Sequence, residues 1–295
     1  MSAKAIDAAV LTRAQGRLAH AASAPWLHAE VARRMAERLT LIRLRPETVI
    51  DWWAHAGASQ ALLAKAYPQA RVLRVEASTP ARVPTAADAP WWSSRRWRRE
   101  TPAIDENAVP AGAGQLLWAN MMLHAAPDPE PVMQRWRRAL AVDGFLMFST
   151  LGPATLAGLR ALYREAGWGT PHAAFTDMHD FGDMLVAAGF ADPVMDQESL
   201  TLTWATPEAL LTELRTLGAN ADPARFAGLR TPRWRSRLLA ALRERAGPDG
   251  RIALEFELVY GHAFNPLPRA KVTAETHVAL DDLRAMVRSG RRPGA

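Results

Sequence analysis

Short apolar runs alternate with helical patterns along the first half of the chain. Segments between the runs, such as EPVMQRWRRAL, place apolar residues three to four positions apart, on one face of a helix. The strand-like runs are TVID (48–51), RVLRVEA (71–77), QLLWAN (115–120) and FLMFST (145–150). Alternation of this kind predicts a parallel sheet covered by helices, the doubly wound α/β class.

The same analysis extends to both ends of this region. Apolar residues between Trp26 and Leu39 fall on one face and predict a helix before the sheet. Farther on, TDMHDFGDMLVAAG predicts a helix capped by Thr176, and SLTLTW (199–204) and IALEFELVYGHAF (252–264) predict two later strands.

The stretch between these two strands is predicted to be helical. It opens with TPEALLTELRTLG, in which Thr206 is a suitable N-cap, Pro207 suits the first turn and Gly218 ends the helix. The chain therefore divides into an N-terminal helical segment (1–47), a Rossmann-like core (48–204 and 252–264), a helical insertion (205–251) and a C-terminal tail (265–295). Within the tail, HVALDDLRAMV predicts a short helix.

Composition narrows the possible functions. Apolar residues make up 49% of the 295 positions, enough for a sizeable core, and a net charge of +6 favours anionic partners without selecting among them. The absence of cysteine excludes disulfides, thiolate metal sites and cysteine nucleophiles. No apolar segment suits a signal peptide or a membrane span, so we expect a cytoplasmic protein with no membrane partner. Serine-hydrolase, zinc-protease and Walker motifs are missing.

The loop after the first strand, VIDWWAHAGAS (49–59), has the outline of a nucleotide-binding turn. Such turns use glycine because a Cβ would obstruct the ligand and because glycine adopts positive φ at little cost. Here Trp53 and His55 stand where glycines are usual. The loop is either adapted to a different use or altered after cofactor binding was lost, and the sequence does not rank these two.

With this loop, the order of elements resembles that of class I methyltransferases that use S-adenosyl-L-methionine. The resemblance implies a seven-stranded sheet whose last strand is antiparallel. The family's first loop reads Asp-Leu-Gly-Cys/Ala-Gly-Thr-Gly, and Asp51 and Gly57 match its first and last positions. The resemblance implies that Glu76 accepts hydrogen bonds from the ribose hydroxyls, that Asp105 binds the adenine amino group, and that Asn120 belongs to the cofactor site. The two replaced glycines predict weak cofactor binding.

The likeness is closest to the malonyl-acyl-carrier-protein O-methyltransferases of biotin synthesis. It rests on ANMMLHAAPDPE, VDGFLMFSTLGPATL, FTDMHDFGDMLVAAGFADPVMDQESLTLTW, ELRTLGANA and FELVYGHAF, and extends over residues 28–264. It implies methylation of the free carboxylate of a malonyl thioester on acyl carrier protein. Family members usually carry a Tyr-Asp pair near the N-terminus, whereas this chain has no tyrosine before Tyr67.

Carboxylate methylation needs positioning more than acid or base help, because a carboxylate is already a nucleophile at neutral pH. A planar arginine suits the substrate carboxylate. Arg215 is the candidate, followed by Arg230 and Arg233, although Arg215 also fits a solvated helix face. His124 either lies near the methyl-transfer site or simply ends the fourth strand. No catalytic residue is assigned.

Two further clusters are better explained by structural roles. Asp177, His179 and Asp180 could suggest a metal, but acidic residues are favoured in the first turn of a helix, and no metal is predicted. PWWSSRRWRRE (90–100) resembles a surface that stacks single-stranded nucleic acid. We favour instead a loop in which arginine stems pack on indoles, facing an acidic carrier protein, and predict no nucleic-acid partner.

Three functional hypotheses remain. The leading one is a malonyl-acyl-carrier-protein O-methyltransferase. The second is a catalytically degenerate protein that acts as a binding or assembly module, whose cavity Trp53 or His55 would fill. The third is a related reaction on the same scaffold, as in a sibling group thought to hydroxylate arginine, and iron dependence would distinguish it. The oligomeric state is not predicted.

Overall fold

The computed structural model describes residues 6–19, 21, 23–77 and 103–267. Within them the chain forms nine α-helices, two 3₁₀ turns and seven strands. The helices are α1 (Ala8–Ala19), α2 (Trp26–Arg38), α3 (Ala54–Gly57), α4 (Gln60–Ala66), α5 (Pro129–Ala139), α6 (Ala157–Glu165), α7 (Met178–Ala187), α8 (Pro207–Thr216) and α9 (Pro232–Arg243). The strands are β1 (Thr48–Trp52), β2 (Arg71–Glu76), β3 (Ile104–Asp105), β4 (Gly114–Ala119), β5 (Leu140–Leu151), β6 (Ala191–Trp204) and β7 (Ile252–Phe264).

All seven strands belong to one sheet, in the order β3-β2-β1-β4-β5-β7-β6. The first five pair in parallel, and β7 lies antiparallel to both β5 and β6. The order reverses beside β1, between β2 and β4, and this is the point where doubly wound sheets bind ligands. The predicted fold, a doubly wound sheet whose last strand is antiparallel, is confirmed.

Each sheet face is covered by its own hydrophobic cluster, because side chains alternate between the two faces of a strand. In β4, Leu116 and Trp118 pack into a cluster with α2, α4, α6, α8 and α9, whereas Leu117 and Ala119 pack into a cluster with α5 and α7. Burial on both faces explains the continuous apolar runs of the central strands.

Several helix ends follow the expected capping chemistry. Thr206 accepts from the Ala209 N–H at the start of α8, with Pro207 in the first turn as predicted. The predicted cap of α7 is wrong by one residue: Asp177, rather than Thr176, accepts from the His179 N–H. A carboxylate at that position also interacts favourably with the helix dipole.

Two strands are longer than predicted. β5 begins at Leu140, directly after α5, and β6 begins at Ala191 rather than at 199. The added part of β6 contains Pro193 and the charged residues Asp196 and Glu198. Such a composition is tolerated because β6 is an edge strand of the described sheet, in which β7 is its one partner.

The segment 205–251, predicted to be a helical insertion, contains α8 and α9 between β6 and β7. No helix among the described residues combines the length and apolarity that a bilayer crossing requires. The predictions for PWWSSRRWRRE (90–100) and HVALDDLRAMV concern residues outside the described ranges.

Candidate active site

A cavity of about 520 Å³ lies at the carboxyl ends of the parallel strands. Its volume is in the range of small-molecule sites. The wall is built from the loop after β1, the end of β2, the loop after β4, the inner face of α1, and the insertion with α8 and α9. The fold thus brings together segments that are far apart in the sequence.

Trp53, at the first glycine position of the loop after β1, has the left-handed backbone conformation, with φ 55° and ψ 49°. This conformation costs a non-glycine residue roughly 1–2 kcal/mol. The side chain is only 8% exposed, and its Nε1–H donates to Glu106 Oε2 at 3.1 Å. The loop therefore keeps a backbone suited to glycine, and an anchored indole forms part of the cavity wall.

His55, at the second glycine position, fastens the loop to two other elements. Its backbone N–H donates to Glu76 Oε1 at 2.9 Å, and its ring Nε2 lies 3.1 Å from the Leu18 carbonyl oxygen at the end of α1. Because a carbonyl only accepts, this Nε2 carries the proton. His55 thus joins the loop after β1 to the helix that covers the cavity.

The opposite end of α1 is held by the insertion. The Asp7 N–H donates to the Ala221 carbonyl, and the Arg225 guanidinium donates to Asp7 Oδ2 at 2.6 Å. Between these two anchors, α1 presents Leu11, Ala14 and Leu18 to the cavity. None of the described α1 residues facing the cavity is a tyrosine, consistent with the departure from the family pattern.

Glu76 ends β2 and supplies a carboxylate to the cavity wall. Burial raises the pKa of this carboxyl to about 7, while the His55 N–H and the Arg74 guanidinium, 3.8 Å away, oppose the rise. One oxygen, Oε1, accepts from His55, and no donor within the described residues bonds the other oxygen, Oε2. This second oxygen can accept a ligand hydroxyl, as expected of a ribose-binding residue.

Asp51, a predicted cofactor residue, is buried, with 1% of its surface exposed. The Ser59 hydroxyl lies 2.7 and 2.8 Å from its two oxygens. Burial raises its pKa to about 6, against the opposing effects of Ser59 and Arg74. Asp51 lies behind the described cavity wall, where it holds the start of α4 against β1.

Gly57 and Asn120 also lie behind the surface of the cavity. The Asn120 amide donates to the Gly57 carbonyl at 2.7 Å and to the His28 carbonyl at 2.8 Å, and its Oδ1 accepts from the Ser149 hydroxyl at 2.6 Å. Asn120 therefore clamps the loop after β1 to α2 and β5. Its predicted contact with the cofactor stays a prediction.

Asp105 follows a different pattern. Its backbone lies beside that of Glu76 in the β2–β3 pair, so the two carboxylates are at the ends of neighbouring strands. The Asp105 side chain, however, is exposed. Its Oδ1 accepts from the Asn107 N–H at 2.8 Å, and Asp105 is absent from the described cavity wall. The adenine role predicted for it stays a prediction.

Two neighbouring histidines, His28 and His124, lie in the cavity wall. Of these, only His124 was identified from the sequence. The rings of His28 and His124 are 6.3 Å apart, edge to face. The His28 Nδ1–H donates to the Ala56 carbonyl at 2.8 Å. Burial lowers the pKa of His28 to about 4, and burial together with His28 lowers the pKa of His124 to about 3. Both rings are therefore neutral at pH 7.

The insertion supplies positive charge to the same cavity. Arg215 of α8, Arg230 of the segment before α9, and Arg235 of α9 line it, whereas the predicted Arg233 does not. Arg230 donates to the Trp168 carbonyl and lies over the Phe226 ring at 3.9 Å. Arg215, by contrast, makes no hydrogen bond or ion pair within the described part of the protein.

Negative and positive side chains therefore lie in different parts of the cavity wall. Among its described lining residues, Glu76 is the single carboxylate and the arginines come from the insertion. Since β2 lies on one side of the sheet and α8 packs against β6 at the other edge, the two charges belong to different ends of the cavity. Such a site suits a ligand with hydroxyls at one end and an anion at the other.

No described group of three or more His, Asp or Glu side chains is arranged to hold a metal ion. Asp177 and His179, considered from the sequence, form a local pair at the start of α7, with His179 Nδ1 at 2.9 Å from Asp177 Oδ1. This contact is explained by the helix cap.

The strand order, the antiparallel β7 and the cavity at the carboxyl edge define the class I methyltransferase fold. Two solved structures share it: the YcgJ protein of Bacillus subtilis, at 11% identity and a TM-score of 0.52 over 80% of this chain and 99% of that one, and a provisionally named methyltransferase of Bacillus halodurans, at 15% identity and a TM-score of 0.52 over 80% and 100%. At such low identity these similarities show the fold alone.

Similarity in sequence is more specific. Curated malonyl-[acyl-carrier protein] O-methyltransferases of Laribacter hongkongensis, Gallionella capsiferriformans and Halorhodospira halophila are 38, 37 and 36% identical to this chain. The matches cover 83, 82 and 88% of this chain and 84, 85 and 88% of theirs. No protein-family model matches the chain. The chain belongs to the malonyl-[acyl-carrier protein] O-methyltransferase family.

Proposed function

We propose that this protein methylates the free carboxylate of a malonyl thioester on acyl carrier protein, with S-adenosyl-L-methionine as methyl donor, in the cytoplasmic synthesis of biotin. The observation that carries the proposal is the cavity with one carboxylate at the end of β2 and three arginines from the insertion. Membership in the family supports the choice of substrate.

The residues present fit the cofactor. Glu76 Oε2 is available to a ribose hydroxyl, and the left-handed conformation of Trp53 preserves the turn after β1. Trp53 and His55 form part of the wall and leave the cavity open, so the occlusion expected of a noncatalytic module is not found. When bound, S-adenosyl-L-methionine supplies an electrophilic methyl group whose transfer to a carboxylate needs no general base.

The remaining task of the protein is positioning. Arg215 is exposed and makes no hydrogen bond or ion pair within the described residues. Its guanidinium donors are therefore free to bind one carboxylate oxygen of the substrate and so orient the other oxygen toward the methyl group. His28 and His124 keep the middle of the cavity uncharged, so they do not compete with Arg215 for the anion. Exclusion of water strengthens the arginine–carboxylate attraction.

The test is methyl transfer from labelled S-adenosyl-L-methionine to malonyl-carrier protein, with acetyl-carrier protein as the acceptor that lacks a free carboxylate. We expect a methyl ester on the malonyl carrier alone. Loss of a hydrogen-bonded ion pair typically costs about 1.5–3 kcal/mol, so Arg215→Gln is expected to lower kcat/KM about 10- to 100-fold. The matched control, Arg43→Gln, changes an exposed arginine between α2 and β1 and should leave kcat/KM unchanged.

Two results would contradict the proposal. The first is the absence of a methyl ester on malonyl-carrier protein at saturating cofactor. The second is equal labelling of the malonyl and acetyl carriers, which would mean that the carboxylate is not the acceptor.

A further inference from the structure

We propose that the carrier protein docks on an exposed arginine surface at the mouth of the cavity. This arginine surface consists of Phe226, Leu229, Arg230, Arg233 and Arg237. The inference rests on the proposed function, since it names where the protein that bears the substrate binds.

The first argument is charge. Residues 223–243 contain six arginines and no aspartate or glutamate. Arg233, Arg235 and Arg237 are exposed on α9, and neither Arg233 nor Arg235 forms an ion pair or hydrogen bond within the described part of the chain. Arg225 and Arg243 are paired with Asp7 and Glu208, so the uncompensated charge is that of the exposed arginines on α9. Such positive charge attracts an acidic partner and speeds its encounter.

The second argument is exposed apolar surface among these arginines. Leu229 is 96% exposed and Phe226 is 51% exposed. Apolar side chains rimmed by arginine are typical of protein–protein interfaces, where arginine and aromatic residues are enriched. A docked protein would bury both side chains.

The third argument is rigidity. Arg230 lies over the rings of Phe226 at 3.9 Å and Trp234 at 4.5 Å, and Trp234 packs edge to face on Trp168 at 5.6 Å and on Tyr163 at 6.2 Å. The arginine surface is therefore supported by a packed aromatic cluster. A preorganised surface loses little conformational entropy when a partner binds.

The fourth argument is position. Arg230 belongs to both the arginine surface and the cavity wall, and Trp234, Arg235 and Leu238 of α9 line the cavity beside it. A carrier docked on α9 therefore places its thioester arm at the cavity. Nucleic acid fits less well, because the indoles of Trp168 and Trp234 pack on each other and do not offer the open ring faces that base stacking needs.

The experiment compares two double charge reversals. Arg233→Glu/Arg237→Glu alters the arginine surface without touching the described cavity wall. The matched control, Arg43→Glu/Arg71→Glu, makes the same charge change at exposed positions before β1 and at the start of β2, which lie in the half of the sheet away from β6 and β7. Each variant is assayed with malonyl-carrier protein and with malonyl-pantetheine, which has no protein surface, and its affinity for the unacylated carrier is measured directly.

We expect Arg233→Glu/Arg237→Glu to raise KM for malonyl-carrier protein about 10-fold or more while kcat stays within about twofold, since the loss concerns encounter and docking. Kinetics with malonyl-pantetheine should not change. Affinity of the wild-type protein for the carrier should fall as salt rises, because exposed charges are screened over about 10 Å at 0.1 M.

If the two double variants changed KM and carrier affinity equally, the proposal that the carrier docks on the arginine surface would be overturned. An equal rise of KM for malonyl-pantetheine would overturn it too, because that result places the damage in the cavity. If the wild-type protein methylated neither substrate, the proposed function would fail, and carrier affinity would still decide whether the arginine surface binds the carrier.

Discussion

Trp53 combines a backbone conformation suited to glycine with a buried indole, and its substitution separates the two contributions. In Trp53→Gly, loss of a buried indole costs about 3–5 kcal/mol, whereas relief of the left-handed backbone regains about 1–2 kcal/mol. We therefore expect the free energy of unfolding to fall by about 1–4 kcal/mol in urea titration. The free energy of unfolding should fall by less in Trp53→Phe, because this variant keeps an aromatic ring and loses only the hydrogen bond to Glu106. A Trp53→Gly variant as stable as the wild type would show that the indole does not stabilise the loop.

The carboxyl of Glu76 predicts a dependence on pH. Its pKa is about 7 in the folded protein and near 4.5 in the unfolded chain, so the folded state binds the proton more tightly. Stability contributed by the protonated carboxyl is present below pH 4.5 and is lost as pH rises toward 7. Between these values, the wild-type free energy of unfolding should fall relative to that of Glu76→Gln, measured without cofactor. Parallel pH curves for the two proteins would contradict the raised pKa.

The sequence identified some residues of the site and missed others for a physical reason. Glu76 and His124 follow from the family pattern and Arg215 from the chemistry of carboxylate binding, and all three line the cavity. His28 was missed because it lies on the helix before the sheet, and only the tertiary contact of α2 with the loop after β1 brings it to His124. Arg235 was missed because the sequence did not show which face of α9 turns toward the cavity.

At the scale of elements, the pairing of β5 with β7 depends on a close approach that only glycine permits. Gly261 lies opposite Phe148, and a Cβ at that position would be 2.0 Å from Phe148 Cε1. Phe148 is fully buried and cannot move freely. We expect Gly261→Ala to lower the free energy of unfolding by about 1–3 kcal/mol or more, as overpacking does.

A matched substitution in α6 should act in the opposite direction. At Gly158 the nearest atom to a new Cβ is a Leu254 methyl carbon at 3.9 Å, an ordinary contact. Because alanine favours a helix interior over glycine by about 0.5–1 kcal/mol, Gly158→Ala should raise the free energy of unfolding by about that amount. Equal effects of the two substitutions in thermal or urea unfolding would refute the role assigned to the β5–β7 contact.

The accuracy of the bounds predicted from the sequence also differed among the strands and helices. The bounds predicted for β7 match the structure, because apolar and polar positions alternate in it. β6 was predicted too short, since its first half is polar and pairs on one side only. The single-turn α3 gives too few residues for a helical period, and its position after a left-handed Trp53 depends on backbone geometry that a sequence pattern does not reveal.

At the scale of the whole molecule, α1 and the insertion complete the cavity that the sheet begins. The insertion holds the start of α1 through Asp7 and Arg225, and the loop after β1 holds its end through His55. The end of the cavity with Glu76 is therefore connected to the end with the insertion arginines by a helix that touches both. In the proposed function, the first end binds the nucleoside and the second binds the anionic thioester.

The central claim is that this cavity still binds S-adenosyl-L-methionine despite the two replaced glycines. It is tested most directly by calorimetric titration with the demethylated product, S-adenosylhomocysteine, in the wild-type protein and in Glu76→Ala. We predict binding at one site in the wild type and an affinity lowered about 10-fold or more in Glu76→Ala, as expected for loss of hydrogen bonds to a charged group. No heat of binding by the wild-type protein at millimolar ligand would contradict the account.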